Sequence, residues 1–188
     1  MTTTYTVPTL VDGNLRLRRP HLDDVAARLE AGNDPDIQRM YGIDPSAFQP
    51  VTKDSADAWV KYHVDQTYSW FIDIDDRLSG VIFLHSLNQT DRRAIVSIGL
   101  LRPENLGQGY GSRAMHLLLA EAFGPLNLHR IALRVIDFNT RAIAAYKKAG
   151  FVEEGRERQS ACVGGQFHDD VMMGVLAPEY LGQKRDVS

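Results

Sequence analysis

The chain has 188 residues, 44% hydrophobic and 24% charged, with a formal net charge of -3. That length suits one globular domain with a substantial core, and the charge lacks the basic excess of a nucleic-acid binder. Cys162 is the one cysteine, so an internal disulfide and a CxxC zinc pair are both excluded. With no signal-like N-terminus and no apolar run near the ~18 residues of a membrane span, the expected setting is cytoplasmic, away from the membrane.

In chain order, residues 1–12 read as a loose lead-in. Leu15-Arg16-Leu17-Arg18 alternates and predicts a half-buried strand, which Pro20 ends. Leu22, Val25, Ala26 and Leu29 recur at helical spacing and predict a helix to about Ala31, closed by Asn33-Asp34-Pro35. A short helical turn follows at Ile37 to Tyr41, then a loop at 42–52. Thr52-Lys53-Asp54-Ser55 opens the next helix, with Ala56, Trp59, Val60 and His63 on one face. Ser69–Ile74 is rich in aromatic and β-branched residues and predicts a strand. A turn at 75–80, a strand at Val81–Leu84, a turn at 88–91 and a strand at Ala94–Leu101 complete an antiparallel meander.

After Leu101 the pattern changes. Pro103–Gly111 is a glycine-bearing loop, and Ser112–Phe123 carries Met115, Leu118, Leu119 and Ala122 on one helix face. Ile131–Ile136 predicts a strand and Thr140–Ala149 a helix, with Gly150 placed to form a left-handed C-terminal cap. Phe151 starts a further strand and Val171–Leu176 forms the last. The order is β-α-α-β-β-β-α-β-α-β-β, a mixed sheet with helices on its faces and no linker dividing it.

The most informative segment is Leu106-Gly107-Gln108-Gly109-Tyr110-Gly111, between a strand and a long helix. Glycine-permitted turns line up backbone N–H groups into an anion nest, and the helix behind adds its unpaired N–H groups and the positive end of its dipole. Taken alone, the segment reads equally as a plain glycine turn. It is not a Walker A loop, because Ser112-Arg113 follows Gly111 with no Lys. It is not a dinucleotide fingerprint either, because the spacing is GxGxG and the preceding strands form a meander.

The segment resembles the Gln/Arg-x-x-Gly-x-Gly/Ala motif of the GNAT superfamily of N-acetyltransferases. Downstream, Asn139-Thr140-Arg141-Ala142-Ile143-Ala144-Ala145-Tyr146-Lys147-Lys148-Ala149-Gly150-Phe151 resembles the same family's N-x-x-A-x-x-x-Y-x-K-x-G-F pattern, in the expected order. Leu15–Pro20 with Asp23-Asp24, and Gly165–Leu176 with its aromatic-x-Asp ending, are similar to the ribosomal-protein and polyamine acetyltransferase branch. The resemblance covers about residues 14–181. It implies an α/β (α+β) fold with a mixed, mostly antiparallel sheet flanked by helices. It further implies a single N-acetyltransferase domain over 1–188, with loose ends at 1–12 and 182–188.

The resemblance also assigns roles. The coenzyme's pyrophosphate lies on the backbone of Leu106, Gly107, Gln108, Gly109, Tyr110, Gly111 and Ser112. Leu106 departs from the usual Gln or Arg. The pantetheine arm pairs with Gly99, Leu100 and Leu101 as an added strand, where an N–H can meet the developing oxyanion. Asn139 contacts the arm, although Asn before a helix is also a plain N-cap worth ~1 kcal/mol. Tyr146 is the general acid that protonates the departing thiolate; read without the family, it is a packed aromatic on a face with Ala142, Ala145 and Ala149. Some relatives carry Glu as base two residues before the strand glycine. Ser97 stands there, and serine alone is a poor base, though it can hold a water. Asp73, Glu104 and Asp137 are the other candidates for that role.

The implied reaction moves acetyl from acetyl-coenzyme A, a cosubstrate with no metal beside it, to a primary amine by direct attack in a ternary complex. The acceptor is a protein N-terminus or a small amine, and a homodimer is a common assembly. A non-catalytic acetyl-coenzyme A sensor is the alternative, motivated by Leu106 and Ser97. The six histidines form no tight ligand pair, and Cys162 reads as a small strand residue. Phe48, Trp59, Trp70 and Phe167 are candidate acceptor-pocket residues or core. Asp73, Asp75 and Asp76 form an acidic turn that can attract a cationic acceptor or simply close a hairpin.

Overall fold

The computed structural model describes residues 5–185. The strands are β1 (Leu10–Asp12), β2 (Leu15–Arg18), β3 (Ser69–Ile74), β4 (Arg77–Asn88), β5 (Arg93–Leu100), β6 (Arg130–Ile136), β7 (Val152–Val163) and β8 (Gln166–Leu176). The helices are α1 (Val25–Ala31), α2 (Pro35–Arg39), α3 (Lys53–Asp65), α4 (Tyr110–Phe123), α5 (Thr140–Lys148) and α6 (Ala177–Arg185). The strand order is β1-β2-β3-β4-β5-β6-β8-β7. Every strand pairing with a defined register is antiparallel except β5 with β6. The α/β class and the mixed, mostly antiparallel sheet are therefore as expected. Among the described residues no helix is long and apolar enough to cross a membrane.

The residues gather into two compact units. The first takes the chain up to Asp34, then Gln49–Phe83 and Ile98–Leu117. Its core is Val60, Phe71, Leu78 and Val81, with Trp59, Val64, Phe83 and Leu101 packed against them. Thr52 caps α3, accepting from the Ser55 N–H, and the Ser55 hydroxyl accepts from the Thr52 N–H in return. That reciprocal box fixes the helix start where Thr52-Lys53-Asp54-Ser55 placed it. Asp75 and Asp76 both take positive φ, 49° and 59°, which a two-residue hairpin turn demands. The turn is therefore two residues long, and β4 begins at Arg77 rather than Val81. Trp70 is fully buried with its Nε1 donating to the Pro8 carbonyl, and Trp59 stacks on Phe71 at 4.9 Å. Trp70 is core, and Trp59 is half-buried against the core cluster.

The second unit takes Pro35–Phe48, Leu84–Ser97 and the chain from Leu118 onward. Leu118, Leu119, Ala122, Ile131, Leu133, Val171, Met173 and Val175 are buried in it. α5 ends in the left-handed cap that Gly150 predicted: Gly150 has φ 98°, its N–H bonds to the Lys147 carbonyl, and the Phe151 N–H bonds to the Tyr146 carbonyl. The ring of Phe151 then lies 6.0 Å from that of Tyr146, the hydrophobic contact that goes with this cap.

Two expectations about the ends are corrected. Residues 10–12 form β1, because Gly13 at φ 56° closes a tight turn that pairs Asp12 with Leu15. Residues 182–185 belong to α6; the expectations for 1–4 and 186–188 fall outside the described residues. Two elements also run longer than expected. Gly164 and Gly165, at φ 59° and 76°, turn β7 directly into β8, which begins at Gln166 rather than Val171, and α4 starts at Tyr110 rather than Ser112, so Tyr110 and Gly111 are helical.

Candidate functional site

The glycine loop lies in the first unit. Gly107 and Gly109 have φ of 75° and 83°, a region that admits glycine without penalty, and a Cβ built on either would meet nothing within 4 Å. The glycines are thus required by backbone angle, and the space beside them is open. The first helical hydrogen bond of α4 runs from the Arg113 N–H to the Gly109 carbonyl. The N–H groups of Tyr110, Gly111 and Ser112 therefore have no acceptor inside the helix. They point out at its positive end, an arrangement suited to a diphosphate.

Side chains hold that end in place. Arg113 donates through Nε to Asp12 Oδ2 at 2.7 Å and through Nη2 to the Asp12 carbonyl. Asn14 donates to the Tyr110 hydroxyl at 3.1 Å. The β1–β2 turn is thereby pinned to the first turn of α4. Gly80 is a second constraint here: a Cβ on it would collide with the Gly99 carbonyl. Leu101 donates its N–H to the Ser79 carbonyl at 2.8 Å.

The second unit carries the side-chain chemistry. The parallel ladder of β5 on β6 runs through Arg93↔Arg130, Ala94↔Ile131 and Ile95↔Ala132, while β5 itself continues to Leu100. Ser97 is half-buried and its Oγ lies 3.2 Å from His85 Nε2 on β4. His85 Nδ1 lies 3.1 Å from Ser86 Oγ. Burial, and after it the charge of Arg134, lower the pKa of His85.

Tyr146 is half-buried on α5. Burial, with Tyr41 nearby, raises its pKa well above the ordinary phenol value, so the hydroxyl stays protonated and keeps a hydrogen to donate. An ordinary thiol has pKa ≈ 8.5. A neutral phenol can donate a hydrogen bond to a thiolate, whereas full transfer of its proton to that weaker base is uphill.

Asn139 is buried and caps α5, with its Oδ1 accepting from the Ala142 N–H at 3.2 Å and its Nδ2 donating to the Met40 carbonyl at 3.3 Å. The amide carries two donor hydrogens, so one is left for a ligand. The alternative base candidates have other surroundings. Asp73 is buried under Arg16 and Arg18, both within 2.9 Å, a neutralised ion pair. Glu104 is exposed, and Asp137 faces His168 Nδ1 at 3.5 Å. Phe48 is half-buried, Phe167 is exposed, and Cys162 is exposed in β7. The acidic turn closes the β3–β4 hairpin, where Asp75 accepts from Asn14 and Asp76 from Arg16.

His85 is the residue that sequence reading passed over. It stands 12 positions from Ser97, and neither a motif nor a spacing signals that two strands bring them together.

Comparison with known proteins bears on these residues. The family model described as an acetyltransferase (GNAT) domain matches residues 14–152. The spermidine N(1)-acetyltransferase of Escherichia coli (strain K12) is 28% identical over 174 residues, 92% of this chain and 91% of that protein. The ribosomal N-acetyltransferase-like protein YdaF of Bacillus subtilis (strain 168) is 34% identical over 110 residues, 58% of this chain and 60% of its own length. The crystal structure of spermidine N-acetyltransferase from Vibrio cholerae in complex with CoA and spermine superposes with a TM-score of 0.74 at 26% identity, covering 90% of this chain and 99% of that one.

Proposed function

The chain belongs to the GNAT acetyltransferase family, and from that premise we propose that, as an acetyl-coenzyme A-dependent N-acetyltransferase, it acetylates a small polyamine by direct attack in a ternary complex. The observation that carries the polyamine is the match to a spermidine acetyltransferase along nearly the whole of both chains. The YdaF match, at higher identity, spans 60% of that protein and keeps a protein N-terminus as the second acceptor to be tested.

In this reading the whole chain acts as one acetyltransferase domain. The backbone from Leu106 to Ser112 cradles the diphosphate through the N–H groups of Tyr110, Gly111 and Ser112, since the Leu106 N–H is spent on the Pro103 carbonyl; backbone donors do the work that Gln or Arg does elsewhere, so Leu106 is tolerated. Gly99, Leu100 and Leu101 pair with the pantetheine arm, and Asn139 offers it the remaining amide hydrogen. Tyr146 donates to the leaving thiolate. The net charge of -3 suits a cationic acceptor.

The test is thermal unfolding with and without acetyl-coenzyme A, with ATP and NAD as controls, followed by a free-thiol assay on spermidine, spermine and short peptides. Ligand at ~100 times its dissociation constant adds about 2.7 kcal/mol, a rise in midpoint of roughly 5–10 °C. A specific rise and thiol release with polyamines support the reading. Release with peptides alone moves the acceptor to protein N-termini. A rise with no release on any amine favours a sensor.

A further inference from the structure

We propose that His85, acting through the hydroxyl of Ser97, takes the first proton from the acceptor's ammonium. This role rests on the amine-acetylating activity proposed above and supplies the base that serine alone cannot be. An alcohol does not retain a proton from an ammonium, but it passes one on when an imidazole lone pair waits behind it.

The geometry has that form. Ser97 Oγ and His85 Nε2 are 3.2 Å apart across β5 and β4. On the far side of the ring, Nδ1 is 3.1 Å from Ser86 Oγ. In the tautomer with the ring proton on Nδ1 and donated to Ser86 Oγ, the Nε2 lone pair accepts the Ser97 O–H. Ser86 adopts φ 51° inside β4. Left-handed backbone at a non-glycine residue is strained and gathers at working sites. Here it breaks the strand alternation so that consecutive residues, His85 and Ser86, come into side-chain contact. Ser97 is half-buried and reachable, and it lies two positions before Gly99, on the same strand face.

The charged groups around the imidazole fit a base. Ser86 on β4 and Ser97 on β5 are neutral. Arg134 on β6 acts on the ring and is itself paired with Asp170 of β8 at 3.4 Å. A positive neighbour keeps the resting imidazole neutral and expels the proton once it arrives.

The proton balance is direct. The ammonium gives a proton to Ser97 Oγ as the Ser97 hydroxyl proton moves to His85 Nε2, and the imidazolium then releases it to solvent. The freed amine attacks the thioester carbonyl carbon, the C–N bond forms, the C–S bond breaks, and the second nitrogen proton leaves with the thiol.

The test is kcat/KM for a polyamine between pH 5.5 and 9.5 in the parent, His85→Gln and Ser97→Ala, with the acetyl-coenzyme A thermal shift measured alongside. The parent is expected to lose rate on the acid side, below the ordinary histidine value, as His85 protonates. His85→Gln should lose about 100-fold at pH 7 and recover toward pH 9.5, where the substrate's own free amine replaces the base, with the coenzyme shift unchanged. Ser97→Ala should follow the same profile, and it carries the test if Gln at 85 unfolds the chain. Full activity of His85→Gln at pH 7, or an equal loss at every pH, overturns this role while leaving acetyl transfer intact. A parent that acetylates no amine overturns the functional reading, and this role with it.

Discussion

In the proposed reading, the glycine loop and the His85–Ser97 pair serve their ligands by different means. The loop works through main chain: Gly107 and Gly109 contribute only their φ angles, and the donors are peptide N–H groups that any sequence with the same backbone would offer. The strand pair works through side chains whose identity is everything, because no other residue at 85 offers a lone pair to Ser97 in the same way. A binding surface made of backbone tolerates changes such as Leu106, whereas a proton path fails with the loss of one atom.

That contrast can be broken experimentally. Tyr146→Phe should cost about 100-fold or more in kcat, with the acetyl-coenzyme A thermal shift intact. The ring, and hence its contact with Phe151, is retained, so a loss of stability instead would make Tyr146 a packing residue. Gly109→Ala tests the backbone side. There is room for the methyl group but its φ of 83° is unfavourable, at roughly 1–2 kcal/mol. Calorimetry should show acetyl-coenzyme A affinity falling about 10-fold while kcat at saturation stays near the parent value. A lowered kcat with unchanged affinity would refute the backbone reading.

The smallest effect separates acid loss of rate from acid loss of fold. His63 sits among Trp59, Tyr62, Phe71 and Phe83, and burial pushes its pKa down from 6.5 to about 4. As pH falls below 6.5 the unfolded chain binds the proton first, so the stability present above that value drains away toward pH 4. Thermal midpoints taken from pH 7.5 to 4 should show this slope, and His63→Leu should flatten it without altering the pH profile set by His85.

Much of this was legible in the sequence. Glycines that need positive φ, the Thr52–Ser55 capping box and the Gly150 cap act within a few residues, so local pattern displays them. β1 was missed because Leu10-Val11-Asp12 is short, although Gly13-Asn14 is a hairpin signal. The start of β8 is drawn short because Gln166–Asp169 is mostly polar and partly exposed, with no apolar alternation to mark a strand, and β4 is drawn short because a two-residue turn at Asp75-Asp76 lets it start at Arg77. His85 was invisible for a different reason: its meaning comes from a neighbour across the sheet and from a left-handed residue that no composition predicts.

Arg113 stands in the first turn of α4, the cation nearest the glycine loop in sequence, yet its guanidinium is committed to Asp12. A diphosphate resting on Gly107–Ser112 would therefore meet neutral peptide dipoles at short range rather than a mobile full charge. Dissolved ions screen separated surface charges far more than close, oriented contacts. The loop's share of coenzyme affinity should thus change little between dilute buffer and concentrated electrolyte, a salt tolerance that a phosphate site built from exposed arginines would lack.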